Sequence, residues 1–224
     1  WHKEFLQGRP GPVDRVVVVP PYPGVGESEE FVPNQEELDV FFAAMQREKF
    51  DLAFQLHGGG KNSNPFVLRL GAKRTIGLRS SDAPGLDVNV AYVYHFSEVL
   101  RYLEVVARAG ATITSLEPLI MTTKSDFEEA EMVLCLSREN KPVAVLHPGA
   151  SDQRRRWPVE NFAELADLLI ENGYSVYVTG TNFEHDLVHQ LIVKARNGSQ
   201  LKDVCGRMSL NGLTGLLASA GIVV

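Results

Sequence analysis

The chain has 224 residues, 44% hydrophobic and 22% charged, an ordinary globular composition with room for one large or two small domains. A formal net charge of −6 argues against a dedicated nucleic-acid binder. Two cysteines, Cys135 and Cys205, lie far apart without metal-ligand spacing, which points to a reducing compartment. No apolar run approaches the roughly 20 residues of a membrane span, and no signal peptide is visible, so the expectation is a cytoplasmic protein.

Residues 1–12 are turn-rich, ending in Gly8-Arg9-Pro10-Gly11-Pro12. Arg15–Val19 is a β-branched run and reads as a buried strand. Pro20–Gly26 ends it and leads to an acidic loop, Glu27–Glu30, read as solvated. A helix is predicted over Asn34–Arg47, with Leu38, Phe41, Phe42 and Met45 on one face. Phe50–Leu56 follows as a strand, ending in the loop His57-Gly58-Gly59-Gly60-Lys61-Asn62-Ser63, whose glycines permit close backbone approach to a ligand. A short helix is expected over Pro65–Leu70, a turn and strand over Gly71–Gly77, and a long loop over 79–93. Tyr94–Ala109 reads as an amphipathic helix, with Phe96, Val99, Leu100, Leu103 and Val106 inward. Ala111–Thr123, without clear periodicity, is the expected interdomain linker, and a helix from Asp126 to about Ser137 follows it.

The rest of the chain is organised around Pro142–Asp186. Val143–Leu146 is wholly apolar, as in a parallel strand buried on both faces. His147-Pro148-Gly149-Ala150-Ser151 breaks it, Arg154–Arg156 follow, and Pro158 and Asn161/Glu164 both offer to start a helix that Gly173 stops. A second strand, Ser175–Thr179, ends at Gly180, with Glu184 four residues beyond. In an open α/β sheet, ligands bind beyond the carboxyl ends of the strands. Small residues there admit a phosphate to backbone N–H groups, arginines add charge-assisted hydrogen bonds, and a carboxylate accepts from ribose hydroxyls. The order of these groups reads as a nucleotide-diphosphate site. His185 and His189 have i, i+4 spacing but no evident third metal ligand, so they read as surface. A helix is expected over His185–Ala195 and a strand over Leu201–Cys205. Gly206-Arg207-Met208-Ser209-Leu210 then leads into a helix to about Ser219 and an apolar strand.

HPGAS, the Arg-rich loop closing in Arg155-Arg156-Trp157-Pro158, then Phe162 and Leu165, then Gly180-Thr181-Asn182-Phe183-Glu184 resembles the family 9 glycosyltransferases. These are the ADP-heptose:lipopolysaccharide heptosyltransferases and their relatives. Gly206-Arg207-x-Ser209-Leu210 is a further match, and the likeness extends over most of the chain. The resemblance implies an α/β, GT-B-like fold of two Rossmann-like domains with parallel sheets. Residues 1–123 would be the acceptor-side domain without its first β-α unit, and 124–224 the front of the donor domain. On that reading both ends are cut, consistent with the start at Trp1 and the stop within the apolar run Gly221–Val224.

What the resemblance implies for residues is specific. Gly149, Ser151, Arg155, Arg156, Gly180 and Glu184 would bind the donor, with Arg155 stabilising the leaving diphosphate, Ser151 contacting it, and Glu184 holding the ribose. His57, Gly59, Lys61 and Ser63 would lie on the acceptor side, and Trp157 would anchor its loop by packing. The family's Gly-Asp motif, carrying the presumed general base, would precede Trp1, and its Asp-Thr/Ser-Gly-Pro-x-His loop would follow Val224. The implied reaction is inverting transfer of a sugar, expected to be heptose, from ADP-heptose to a lipopolysaccharide-core or related saccharide acceptor. It would need no cofactor and no metal, in keeping with the lack of an Asp-x-Asp motif, and would involve no nucleic acid and at most peripheral membrane contact at the inner face of the inner membrane. The alternatives are a nucleotide-sugar 2-epimerase of the same architecture and a non-catalytic nucleotide-sugar-binding protein. A dinucleotide-dependent oxidoreductase is disfavoured because no G-x-G-x-x-G follows a strand.

Overall fold

The computed structural model of the protein describes residues 2–134 and 141–224. Cys135 and the expected helix end at Ser137 lie outside them. Two compact units are present: Val17–Leu119, and Ile120–Val224 together with the residues up to Val16. The expected 123/124 boundary falls close to the Leu119–Ile120 division, whereas the N-terminal segment clusters with the second unit. That segment carries a short helix, α1 (His2–Leu6). A two-residue parallel pair, β1 (Tyr22–Pro23) with β2 (Gly26–Glu27), opens the first unit.

Arg15–Val19 is not a strand. Val17, Val18 and Val19 are exposed and join no ladder. A β-branched run becomes a strand only when a neighbour supplies hydrogen-bond partners, and β3 (Leu52–Gln55) pairs with β4 (Arg74–Arg79) alone. Between β2 and β3 runs α2 (Gln35–Arg47), capped by the Asn34 side chain accepting from the Glu37 N–H at 3.3 Å. Its Leu38 and Phe42 pack on Phe66 of α3 (Ser63–Leu68). β4 pairs in parallel with β5 (Val88–Ala91), a strand inside the stretch expected to be one long loop. The polar interruption at Asn89 masked the apolar Val88 and Val90, of which Val90 is buried. The following helix is shorter than expected: α4 (Glu98–Ala107) starts after Ser97, buries Arg101 and Val105, and leaves Phe96 and Leu100 exposed. Starting four residues later removes Phe96 from the helix and from the face that packs on Ile76, Leu78 and Val90.

The second unit is the more complete. Residues 111–123 form no regular helix or strand. α5 (Lys124–Leu134), β6 (Val143–Leu146), α6 (Val159–Glu171), β7 (Ser175–Val178), α7 (His185–Lys194), β8 (Lys202–Asp203), α8 (Leu210–Ser219) and β9 (Ile222–Val223) follow in order. The sheet is parallel with order β8-β7-β6-β9. Strand alternation explains the apolar runs. Ala144, Leu146, Val176 and Val178 pack with α6 and α7, whereas Val145 and Tyr177 face Ala130 of α5 and Leu216 of α8. Pro158 rather than Asn161 stands at the start of α6. Its end is a Schellman motif, with Gly173 at φ +85°, Gly173 N–H donating to Ile170 O and Tyr174 N–H to Leu169 O. Asp167, buried on α6, accepts the backbone N–H groups of Arg196 and Asn197, tying the end of α7 to α6. Burial alone would raise its carboxyl, but these bonds outweigh it and hold the group below the ordinary carboxylate range.

Candidate functional site

Strand order reverses between β6 and β9, so β6 lies at the topological switch point of the sheet, where a crevice opens beyond the carboxyl ends. The loop leaving β6 is His147–Ser151. His147 donates its backbone N–H to Val224 O at 2.8 Å, and its Nδ1 lies 3.1 Å from Thr179 Oγ1, so the loop is tied to the ends of both neighbouring strands.

Gly149 is required by space rather than by dihedral freedom. A Cβ there would fall 1.9 Å from Glu184 Oε1. The predicted donor residues Gly149 and Glu184, from different strand ends, are therefore in contact. Glu184 closes a capping box over the 3-10 turn Asn182–Glu184, and its Oε2 accepts from Thr181 N–H at 2.7 Å and Thr181 Oγ at 2.9 Å. Among the described residues its Oε1 makes no hydrogen bond and faces Gly149. Burial raises this carboxyl, but the two Thr181 bonds and the nearby His147 and Arg156 hold it below its ordinary value, so it is an anion at neutral pH. Gly180 has no room for a side chain either, since a Cβ would meet Cys205 Sγ at 2.9 Å. That thiol donates to Thr181 O at 3.1 Å and its pKa is raised, first by burial.

The arginines divide their labour. Arg154 is ion-paired to Asp152 at 2.8 Å on the surface. Arg156 donates Nε and Nη2 to Ala150 O at 3.0 and 2.8 Å, so it braces the loop from inside. Arg155 is exposed, and among the described residues its guanidinium makes no hydrogen bond. Of the three it is the one open to a ligand. Ser151 is exposed beside it, and Trp157 meets Phe162 edge-on at 5.2 Å, pinning the far end of the loop to α6. A cavity of about 280 Å³ adjoins this loop, lined by His147, Thr179–Asn182, Val204, Gly206, Met208 and, from the start of α8, Ser209, Leu210 and Leu213. Thr181, Asn182, Met208 and Ser209 were not among the residues expected to bind. The Gly180–Glu184 run was the sequence signal for Thr181 and Asn182, and the Gly-Arg-x-Ser-Leu run for Met208 and Ser209.

On the first unit, the acceptor-side residues gather at the carboxyl end of β3. His57 is exposed. Gly59 O accepts from Ser80 N–H at 2.7 Å and Ser80 Oγ at 3.0 Å, which ties the β3 and β4 loops together. Lys61 is ion-paired with Glu29 at 2.8 Å across solvent. Ser63 is buried, donating to His57 O at 2.8 Å and accepting from Gln55 Nε2. It holds the loop from below rather than facing a ligand. Among the described residues no three His, Cys, Asp or Glu side chains are grouped to hold a metal, His185 and His189 included. Nor is any helix long and apolar enough to cross a membrane.

A stretch of 108 residues is 28% identical to lipooligosaccharide heptosyltransferase 2 of Haemophilus ducreyi, covering 47% of this chain and 30% of that protein. The fold is similar to the E. coli ADP-heptose LPS heptosyltransferase II (TM-score 0.66, 20% identity, 84% of this chain and 60% of that one). It is also similar to E. coli heptosyltransferase WaaC with ADP (TM-score 0.57, 22% identity, 84% and 58%). The architecture is thus GT-B-like, and the chain spans less than two thirds of the proteins it matches. The family model of glycosyltransferase family 9 (heptosyltransferase) matches residues 40–224, and the chain belongs to that family.

Proposed function

We propose that the protein is an inverting, metal-independent glycosyltransferase that moves a sugar, expected to be heptose, from ADP-heptose to a lipopolysaccharide-core or related saccharide acceptor at the cytoplasmic face of the membrane. The observation that carries this reading is the juxtaposition at the switch point. Gly149 and Glu184 meet across the ends of β6 and β7, residues at the β7 end line an open cavity, and further along the β6 loop Arg155 carries an uncommitted guanidinium. The ADP in the WaaC structure makes adenosine diphosphate the first ligand to test.

In the reaction, an acceptor hydroxyl oxygen attacks the anomeric carbon. The bond from that carbon to the diphosphate oxygen breaks, and the nucleotide leaves with the electron pair while the hydroxyl proton passes to a base. This chain's part is electrostatic. Arg155 and the backbone N–H groups around Gly149–Ser151 stabilise the negative charge that grows on the leaving diphosphate, which a divalent cation would otherwise do. Glu184 Oε1, held as an anion, accepts from ribose hydroxyls. His57, Gly59 and Lys61 form the acceptor-side rim.

The test is product analysis with ADP-heptose and a lipopolysaccharide-core acceptor. Release of ADP coupled to acceptor glycosylation, unaffected by EDTA, supports the proposal. Free epimerised sugar without acceptor modification would replace it with the epimerase reading.

A further inference from the structure

We propose that Glu129, on α5, is a positioning residue of the donor site: it fixes the α8 wall of the cavity, and its charge directs the anionic part of a nucleotide away from α8 and towards the β6 loop. The proposal rests on the nucleotide reading above.

The geometry at the start of α8 carries it. Glu129 Oε1 accepts the Ser209 N–H at 2.7 Å, and Oε2 accepts the Ser209 hydroxyl at 2.6 Å and the Gly212 N–H at 3.1 Å. One carboxylate from 80 residues upstream thus takes up donors that a helix N-terminus otherwise offers to a phosphate. The two helices pack closely at the glycines of α8. A Cβ at Gly212 would fall 2.6 Å from Glu129 Cδ, and one at Gly215 would fall 2.1 Å from Asp126 O. α8 is thereby held against α5 on one side, while Ser209, Leu210 and Leu213 line the cavity on the other. Behind them Arg9 bridges the carboxylate of Asp126 at 2.6 Å and Asn211 Oδ1 at 2.8 Å, which braces the same turn.

Charge then separates the two ends of the cavity. At the β6 end the lining is His147, whose loop continues to Gly149, Ser151 and the uncommitted Arg155. At the α8 end the helix dipole is already met by an anion, and the lining is Met208, Leu210 and Leu213. A diphosphate is accommodated at the first end and repelled from the second, so the uncharged part of the donor is the part that faces α8.

The test is a titration of ADP, adenosine and inorganic pyrophosphate into the parent protein and its E129Q and E129D variants, with thermal melts alongside. Expected for E129Q is a loss of at least fivefold in adenosine and ADP affinity, with pyrophosphate bound as well as by the parent or better. E129D keeps the charge but not the reach, so adenosine binding should weaken with no gain for pyrophosphate. If E129Q does not fold, S209A removes one of the three donors and should reproduce the adenosine loss in smaller measure. Unchanged adenosine affinity in the folded variant overturns the proposal, as does parallel weakening of all three ligands, the mark of general loosening. A parent protein that binds neither ADP nor adenosine overturns the nucleotide reading itself, and this proposal with it.

Discussion

The two sheets of this protein are built on opposite terms. In the second unit, β6 and all of β7 after its first residue, Ser175, are apolar because helices cover both faces, α6 and α7 on one and α5 and α8 on the other. In the first unit, β3 alternates. Ala53 and Gln55 are buried while Leu52 and Phe54 are 43% and 37% exposed, on an edge strand paired on one side only. The difference reaches the loops. The loops after β3 and β4 spend polar groups on each other through Gly59 and Ser80, and Ser63 is bonded within the β3 segment, whereas the β6 loop leaves Arg155 available and the β7 loop leaves Glu184 Oε1 available above a rigid base. A doubly covered sheet can hold its strand ends still enough for loop groups to remain uncommitted.

Substitutions sharpen that contrast in descending order of effect. Arg9→Ala should cost the most stability, about 3–5 kcal/mol, because it strands the fully buried Asp126 carboxylate. Chemical denaturation measures it. Hydrogen bonding to Arg9 holds the Asp126 carboxyl below its ordinary value. The stabilisation it gives is therefore complete above the unfolded value near 3.9 and is lost as pH falls below that, through the lower folded value. Melts between about pH 5 and 2 should show this acid slope in the parent and a shallower one in Arg9→Ala. Leu146→Ala, at a fully buried position in β6, should cost about 2–5 kcal/mol, and Phe54→Ala on the open edge far less. Comparable losses at the two positions would erase the distinction between the sheets. Gly149→Ala should fold but lose at least tenfold in ADP affinity, about 1.4 kcal/mol, because its methyl group would displace the Glu184 carboxylate. Lys61→Ala, on a solvated ion pair, should leave the melting temperature unchanged.

What could be read in the sequence follows the same division. Val143–Leu146 and Ser175–Val178 were legible because covered strands are continuous apolar runs set off by turn residues. Arg15–Val19 carries an equally strong local pattern and forms no strand, because a ladder is a property of two segments and only one is written there. Val88–Ala91 failed in the reverse sense, its polar Asn89 hiding a strand that pairing with β4 secures. Within the site, the partnership of Gly149 with Glu184 followed from their order along a β-loop-α-β unit. The Thr-x-x-Glu spacing of Thr181 and Glu184 was visible too and could have shown that one carboxylate oxygen is spent on its own turn. Two facts had no local signal. Arg156 turns back on Ala150 O because of the path of its loop, and Glu129 reaches Ser209 across 80 residues.

The most direct test of the donor site is a calorimetric titration of ADP into the protein and into Arg155→Ala. One uncommitted guanidinium on a diphosphate is worth about 1.5–3 kcal/mol, so the expected result is ADP binding that weakens at least tenfold in the variant, with UDP, GDP and NAD bound less well by the parent. ADP binding of equal strength in both proteins, or a parent that binds NAD in preference to ADP, would contradict the assignment of the diphosphate to the β6 loop.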